Sequence, residues 1–464
     1  MDNFRIAFIS GKLGDVDGVS LEVEKWISAL KSMGHEIVTI AGKYRDPVPG
    51  VKKDQQVTMP ALRFDSPAQR HYEKIFFPYL NKIPVYITEQ KLKNYIEECM
   101  REGLELGEQL YDVVKQYDID VIIAENTNAM PMTLLGGIAT HHVATSKRLA
   151  TIFHHHDFWW ERSRFSNNKI ENLLNNIMPP SDIGLEHAVI SSYAAHILSS
   201  IKRVHPHVIP NCEDFDNPPV IDDYNADFRT ELGFKEDDIL IVQPTRIVRR
   251  KRIEDSVRLI AALQEKYPKY QEKVQYIISL YQGDEPDDDY VAQIRALAEK
   301  NNVKLHLISD RVGATRSTNR DGKKIYTNRD VLVHADLVTY LPVWEGFGNA
   351  LLEALAAKVP VVTTTYLVYK TDIKVPGLNN IEIRNIYDDD GHLVIPEHIL
   401  EEIHHILTHP SEKQEIIEQN FRIAKKEFGY NTLKEKLRQV IENYDDEIRA
   451  SRKRLKKAKR LYSV

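Results

Sequence analysis

Two glutamates, Glu345 and Glu353, stand eight positions apart in the segment VWEGFGNALLEALAAKVPVV. The segment runs from a glycine-containing loop into a predicted helix and then into a β-branched run that predicts a strand. A helix N-terminus favours anions, and glycine lets a ligand approach the backbone closely. Carboxylates on both sides of this loop can accept hydrogen bonds from sugar hydroxyls and from a ribose. From the spacing alone, a solvated glutamate and a capping glutamate remain an open alternative. The residues that would line the helix N-terminus are Gly346, Phe347, Gly348 and Asn349.

A group of basic residues follows the predicted strand DILIVQ in the segment PTRIVRRKRIED. Arg246 and Lys251 come where that strand ends and a helix begins. Two fixed cations there could hold a diphosphate, with the arginine as a planar fork and the lysine as a point charge. The neighbouring Arg249, Arg250 and Arg252 leave a solvated charged face as the alternative.

Three glycines, Gly11, Gly14 and Gly18, separate the first predicted strand from the first predicted helix. Their spacing is not the G-x-G-x-x-G pattern of dinucleotide-binding proteins, which argues against a dehydrogenase. A turn that opens onto a helix N-terminus suits a phosphate or a sugar, although Asp15 and Asp17 make it less favourable for anions. A plain surface turn is the alternative.

The segment IFHHHDFWWERSRF carries three histidines at the end of a predicted strand. In an extended chain His154 and His156 point one way and His155 the other. A metal would need further ligands that the sequence does not place, so we predict no metal site here. The acidic run that begins at Asp284 is interpreted as a solvated loop. His156 and Asp157, at the carboxyl end of the strand, are candidates for an active site.

The chain has 464 residues, which suits two domains of roughly 200 residues each. Its formal net charge of −6 argues against nucleic acid as a partner. Cys99 and Cys212 are not spaced as a metal site and do not make a disulfide framework. No apolar run approaches the roughly 18 residues that span a bilayer, and no secretory leader is recognised. These features predict a cytoplasmic protein.

Strand, helix and strand alternate twice along the chain. RIAFIS, SLEVEKWISALKSMG and HEIVTIAG predict a βαβ unit and therefore a parallel sheet. The stretch from Asn211, rich in Asn, Asp and Pro, is interpreted as a linker, and a second alternation follows. We therefore predict an α/β protein with two doubly wound parallel-sheet domains, residues 1–211 and 212–428. Residues 429–464 would form a C-terminal helix and a basic tail, and a ligand would bind between the domains at the carboxyl ends of the strands.

Several segments together resemble the retaining nucleotide-sugar glycosyltransferases of the GT-B fold, family 4. GDVDGVSLEVEKWISALKSMGHEIVTIAG, FHHHD, VIPNCEDF and PTRIVRRK are similar in order and spacing to the motifs of this family. YLPVWEGFGNALLEALAAKVPVV resembles its E-x7-E signature, and FGYNTLKEKLRQVI resembles its last helices, which pack back on the first domain. The chain departs from the family at Cys212, where glycine is usual. It also departs in the loop TYLVYKTDIKVPGLNN, which lacks the usual glycine pair.

The resemblance implies roles for particular residues. Arg246 and Lys251 would clamp the donor diphosphate, and Glu353 would bind the ribose. Glu345 would bind hydroxyls of the donor sugar, and His156 would lie near the reacting sugar. Fixed cations would replace a divalent metal, so neither a metal nor another cofactor is expected. The loop residues Gly346, Phe347, Gly348 and Asn349 would face the donor, and Gly14 and Gly18 would frame the opposite side.

The implied reaction moves a hexose from a nucleotide-diphosphate sugar, of the UDP-glucose or GDP-mannose type, to an acceptor hydroxyl with retention of configuration. Asp157, Trp159 and Arg162 are the candidates for acceptor binding. The arginine favours a small anionic acceptor, and a lipid-linked or polysaccharide acceptor stays open. A nucleotide-sugar-binding sensor or an epimerase of the same fold is the alternative function. The basic tail from Arg449 predicts either weak peripheral membrane contact or a solvated helix end.

Overall fold

A computed structural model describes residues 3–15, 17–78, 86–280 and 288–462 of the chain. The chain divides into two compact units. The first comprises Met1–Asn211 with Leu433–Val464, and the second comprises Cys212–Thr432. The acidic run predicted as a solvated loop lies mostly outside the described residues.

The first unit is built on a seven-stranded parallel sheet with the order β3-β2-β1-β4-β5-β6-β7. The strands are β1 Arg5–Ser10, β2 Glu36–Ala41, β3 Gln56–Thr58, β4 Val121–Glu125, β5 Ala150–His155, β6 Glu186–Val189 and β7 His207–Val208. Its first helices are α1 Gly18–Ser32, α2 Pro67–Phe76, α3 Glu89–Gln116, α4 Leu134–Thr145, α5 Ser163–Ser166, α6 Glu171–Ile177 and α7 Ser192–Lys202. Strand β4 is buried along its whole length, which explains its nearly continuous apolar sequence.

The second unit contains a six-stranded parallel sheet with the order β10-β9-β8-β13-β14-β15, and β11 and β12 form a separate antiparallel pair. The strands are β8 Ile239–Gln243, β9 Val274–Ile278, β10 Leu305–Leu307, β11 Ser317–Thr318, β12 Lys324–Ile325, β13 Leu337–Tyr340, β14 Val361–Thr364 and β15 Ile381–Ile383. The helices are α8 Phe228–Glu231, α9 Ile253–Lys266, α10 Asp288–Lys300, α11 Asn328–Leu332, α12 Asn349–Ala356, α13 Glu397–Thr408 and α14 Pro410–Phe428. The predicted pair of doubly wound parallel sheets is confirmed.

Helix α1 shows how local sequence determines an element. Asp17 caps its N-terminus by accepting hydrogen bonds from the backbone N–H groups of Val19 and Ser20. The helix buries one apolar face that includes Trp26. Leu21 is 39% exposed, because the buried stripe runs through Val23 instead.

The last two helices, α15 Tyr430–Asn443 and α16 Asp445–Tyr462, lie mainly in the first unit. Ser451 Oγ accepts a hydrogen bond of 3.1 Å from the backbone N–H of Ala150, at the start of β5. Arg452 binds both carboxylate oxygens of Asp120, with Nε–Oδ1 at 2.7 Å and Nη2–Oδ2 at 2.6 Å. These contacts confirm that the C-terminal helix packs back on the N-terminal domain. Within the described ranges, the helices are all too short or too polar to cross a membrane.

We expect Arg452→Leu to destabilise the first unit by about 1–3 kcal/mol, because the buried Asp120 carboxylate loses its charged partner. Differential scanning calorimetry of the full chain should show a lower Tm for one transition. Lys453→Leu, which changes an exposed side chain on the same helix, is the matched control. Equal Tm values for the two variants would show that the Arg452 ion pair does not stabilise the helix.

Candidate active site

The predicted donor-binding residues of the second unit gather at one position of its sheet. Strands β8 and β13 are neighbours in the sheet, although β9, β10, β11 and β12 come between them in the chain. Such a switch point, at the carboxyl ends of the strands, is where doubly wound sheets bind ligands. Arg246 and Lys251 follow β8, and Glu345 follows β13.

Glu345 is held between two cations. Its side chain is almost fully buried, and Arg250 Nη1 lies 2.6 Å from Oε2. Lys251, also buried, forms an ion pair with Oε1. Burial raises the pKa of Glu345, but the charges of Lys251 and Arg250 outweigh burial and hold this pKa below its usual value. Glu345 is therefore ionised although it is buried. The interpretation of the basic run as a solvated face is wrong for Lys251.

The ion pair with Lys251 does not use the full hydrogen-bonding capacity of the Glu345 carboxylate. Oε1 is buried and has the Lys251 ammonium as its charged partner. A carboxylate oxygen accepts more than one hydrogen bond, so Oε1 has capacity for a hydroxyl donor. The predicted binding of sugar hydroxyls by Glu345 would use this capacity.

Arg246 has a different environment from Arg250 and Lys251. It is half-buried after β8, and among the described residues no carboxylate pairs with its guanidinium. Burial lowers the pKa of the nearby Lys251 to about 8, although the charge of Glu345 opposes this effect. Positive charge thus gathers at the end of β8, and Arg246 retains its donors for an anion.

The glycine loop is shaped by packing beneath it. Gly348 has a φ of 141°, and a Cβ at this position would lie 2.4 Å from Tyr366 Oη. That hydroxyl donates a hydrogen bond of 2.7 Å to the carbonyl oxygen of Phe347. The Phe347 ring is buried against Phe428, so the residue offers its backbone to the loop surface. Gly346 precedes this turn, and Asn349 begins α12.

Glu353 lies in helix α12, and Asn328 is one of its partners. Its Oε2 accepts a hydrogen bond of 2.6 Å from Asn328 Nδ2. Asn328 Oδ1 in turn accepts a hydrogen bond of 2.6 Å from Ser279 Oγ. Ser279 and Asn328 were not found by the sequence analysis, because neither belongs to a motif. Asn328, in α11, orients the Glu353 carboxylate, and Ser279, directly after β9, orients Asn328.

The histidine run of the first unit surrounds a buried glutamate. Glu125, the last residue of β4, accepts from His154 Nδ1 at 3.0 and 3.1 Å. His156 Nε2 lies 3.3 Å from Glu125 Oε2. His155 points the other way and contacts His187, with Nε2–Nδ1 at 3.0 Å, so the predicted alternation is confirmed. The sequence analysis missed Glu125, although a carboxylate that ends the apolar run VIIA was a signal.

Two groups of side chains in the described residues come close enough to be considered as metal ligands. In the first, Glu125, His154 and His156, the nitrogen–oxygen distances are those of hydrogen bonds, which account for the cluster without an ion. The second is exposed and comprises His405, His409 and Glu412, where His405 Nε2 lies 2.7 Å from Glu412 Oε2. Neither arrangement requires a metal.

The predicted acceptor residues have mixed environments. Asp157 is ion-paired with Arg162, whose Nε lies 2.9 Å from Oδ2. Trp159 is buried in the core of the first unit, and its Nε1 donates to the carbonyl oxygen of Met178 at 2.7 Å. This core position leaves Trp159 little surface for the predicted contact with an acceptor. The neighbouring Trp160 is partly exposed and stacks on Phe158.

Packing explains why glycine is needed in the loop between β1 and α1. Gly14 has a φ of 65°, and a Cβ there would lie 1.9 Å from the carbonyl oxygen of Asp46. Gly18 is the first residue of α1, directly after the capping Asp17. Because the Asp17 carboxylate already occupies this helix N-terminus, a phosphate there would meet like charge. Close packing, more than access for a ligand, explains the need for glycine at Gly14.

We expect Gly348→Ala to cost about 1–3 kcal/mol more stability than Gly391→Ala. Both glycines have positive φ, but a Cβ at Gly391 would meet nothing within 4 Å. The two variants therefore differ in the clash with Tyr366. The difference between their Tm values measures the energetic cost of this clash. Similar Tm losses would mean that Tyr366 moves aside at little cost.

Comparison with known proteins shows which class this fold and site define. The family model described as glycosyl transferases group 1 matches residues 225–374. A mannosylglucosylglycerate synthase from Thermotoga maritima is 30% identical over 452 residues, which cover 94% of this chain and 99% of the relative. A protein of the same name from Petrotoga mobilis is 30% identical over 395 residues, 82% of this chain and 86% of that protein. The chain therefore belongs to the group 1 glycosyl transferases.

Solved structures show the same fold at low identity. Sucrose-phosphate synthase from Thermosynechococcus elongatus has a TM-score of 0.63 and 14% identity, and the match covers 95% of this chain and 99% of that one. Anabaena HepE, solved with UDP and glucose, has a TM-score of 0.59 and 14% identity, with 95% and 100% covered. These matches confirm the predicted GT-B fold with two Rossmann-like domains, and the chain is a glycosyltransferase.

Proposed function

We propose that this protein transfers a hexose, with mannose as the first candidate, from a nucleoside diphosphate sugar to a small anionic acceptor, with retention of configuration. The relatives are named for a product in which mannose is joined to glucosylglycerate, which carries a carboxylate. The observation that supports donor binding most directly is the buried Glu345 carboxylate, held by two cations and with acceptor capacity left on Oε1.

The donor diphosphate would bind to Arg246 and Lys251. Arg246 has no carboxylate partner among the described side chains, so a diphosphate would not have to displace one. Lys251 shares Glu345 with Arg250, which can keep the carboxylate neutralised when the lysine turns to a phosphate oxygen. Charge-assisted hydrogen bonds of this kind are about twice as strong as neutral ones.

The neutral parts of the donor would bind to the two glutamates. Glu345 Oε1 would accept a hydrogen bond from a hydroxyl of the sugar. Glu353, held by Asn328, would accept from the ribose. The backbone N–H groups at the start of α12 would face the phosphates, as helix N-termini commonly do.

In the proposed reaction the bond between the anomeric carbon and the diphosphate oxygen breaks, and a bond to the acceptor oxygen forms on the same face. The departing nucleoside diphosphate takes the acceptor proton. The transition state pairs an oxocarbenium-like sugar with a leaving dianion, so fixed cations accelerate the reaction by stabilising the leaving group. Because Arg246 and Lys251 supply that charge, we propose that no divalent metal is needed.

The function is tested by incubating the protein with GDP-mannose, GDP-glucose, UDP-glucose or ADP-glucose and an acceptor, in excess chelator. We expect glucosylglycerate or glycerate to be glycosylated and neutral glucose to be a poor acceptor. Mass spectrometry detects the product, and NMR coupling constants give its anomeric configuration. A donor sugar epimerised without an acceptor would support an epimerase. Nucleotide binding without any reaction would support a sensor.

We expect Lys251→Ala to lower kcat by about 10²-fold, the typical effect of removing one group that stabilises transition-state charge. Arg249→Ala is the matched control, because Arg249 is an exposed cation two positions away whose guanidinium lies over the Tyr290 ring. Steady-state rates at saturating donor compare the variants. Near-normal turnover of Lys251→Ala would remove the lysine from the proposed mechanism.

A further inference from the structure

The least expected group in the first unit is the carboxylate of Glu125. Its side chain is fully buried at the end of β4, and no motif of the sequence includes it. A buried carboxylate is stable only with charge or hydrogen-bond partners. Glu125 has two, because His154 Nδ1 and His156 Nε2 both lie within hydrogen-bonding distance of its oxygens.

The two histidines differ in their protonation. His154 is fully buried and stacks on Trp26, with ring centroids 4.1 Å apart. Burial lowers the pKa of His154, although the charge of Glu125 opposes this. Its Nε2 is buried with no hydrogen-bond partner among the described residues, which suits the unprotonated nitrogen of a neutral ring. His154 therefore gives its single N–H to Glu125.

The end of β4 also fixes the position of His156. Its backbone N–H donates to Asn126 Oδ1 at 3.1 Å, and Asn126 itself has a left-handed backbone with a φ of 56°. The His156 side chain is 9% exposed, more than that of His154. With Nε2 turned to Glu125, Nδ1 is the ring nitrogen that remains for a substrate.

We propose that Glu125 is a positioning residue that keeps His156 as an imidazolium at neutral pH, so that its Nδ1–H donates a charge-assisted hydrogen bond to an oxygen of the bound substrate. This role rests on the proposed transferase function, and it deepens that function by assigning the protonation state of His156. A neutral ring could donate from one nitrogen alone, whereas the imidazolium serves Glu125 and the substrate together.

The surroundings of His156 carry net negative charge. Burial lowers its pKa, but the hydrogen bond and charge of Glu125 outweigh burial, and other acidic groups add to the effect, so the pKa of His156 is raised. A protonated His154 would act in the opposite sense, which is a further reason for that ring to be neutral. Charged and titratable groups near His156 in the described part of the chain are Glu125, His154, His155, Glu22 with its partner Lys25, and Asp157 with its partner Arg162.

The direct test is NMR titration of the full chain labelled with ¹³Cε1-histidine, with His156 assigned from its absence in His156→Asn. We expect His156 in the wild type to titrate above the ordinary value of about 6.5. Glu125→Gln preserves shape and removes the charge, and the pKa of His156 should fall by one unit or more. A wild-type pKa of His156 below 6.5 would overturn the proposal even if the variant failed to fold.

Activity provides the second readout. An imidazolium is lost as pH rises through its pKa, so the alkaline limb of the kcat/KM profile should move to lower pH in Glu125→Gln. A shift of one unit corresponds to a tenfold loss of activity above both pKa values and to recovery at acidic pH. A purely structural role would lower activity equally at every pH and leave the limb in place, which would contradict the proposal.

Glu186→Gln is the matched control, because it removes another Glu–His contact of the first unit, 3.0 Å from His207 Nε2. It should leave the titration of His156 unchanged, and an equal shift in this variant would show that the effect is not specific to Glu125. Metal analysis of the purified protein completes the test. A stoichiometric metal lost in Glu125→Gln would overturn the proposal by making Glu125 a ligand.

The titration of the free protein does not depend on the substrates. A chain that makes no glycoside but shows the Glu125-dependent shift would contradict the proposed transferase function and retain the coupling between Glu125 and His156. A chain that makes the glycoside with an unshifted His156 would contradict the role of Glu125 alone.

Discussion

A carboxylate removed from water must be neutralised or fully hydrogen-bonded, and each unit of this protein buries one beside the switch point of its sheet. In the first unit it is Glu125, at the end of β4, and in the second it is Glu345, just after β13. In each sheet, β4 or β13 is the first strand that the chain adds on the opposite half of the strand order. The cations and histidines that gather at these strand ends are the partners that the two carboxylates require.

The two carboxylates are compensated differently, and the difference bears on function. Glu345 is held by Lys251 and Arg250, which are both cationic at neutral pH. Glu125 is held by two histidines, whose charge depends on pH. The second unit therefore offers two positive charges at neutral pH, which suits a leaving diphosphate. The first unit offers a charge that can be tuned, which suits hydrogen bonding to a sugar or an acceptor.

Packing explains several residues that looked functional in the sequence. Gly14 is required by its approach to the Asp46 backbone, and Trp159 is part of the core. Gly348 is constrained by packing, because Tyr366 fills the space beneath it, and it also belongs to the loop that leads into the predicted donor-binding helix α12. A glycine or an aromatic residue near a strand end is thus weaker evidence for a ligand than a buried charge with unused hydrogen-bonding capacity.

The sequence by itself determined the parallel α/β architecture, the division near Asn211 and the motif residues Arg246, Lys251, Glu345 and Glu353. These follow from local periodicity and from spacing within short segments, which do not depend on the rest of the chain. The tertiary structure decided which charges are paired. In the sequence, Arg250 belongs to a run of basic residues that is typical of a solvated face. It pairs with Glu345 because β8 and β13 are neighbours in the sheet. Glu125 meets His154 and His156, and Ser279 and Asn328 hold Glu353, only because strands and helices far apart in the chain become neighbours. Burial and hydrogen bonding depend on these distant neighbours, and a single sequence does not reveal them.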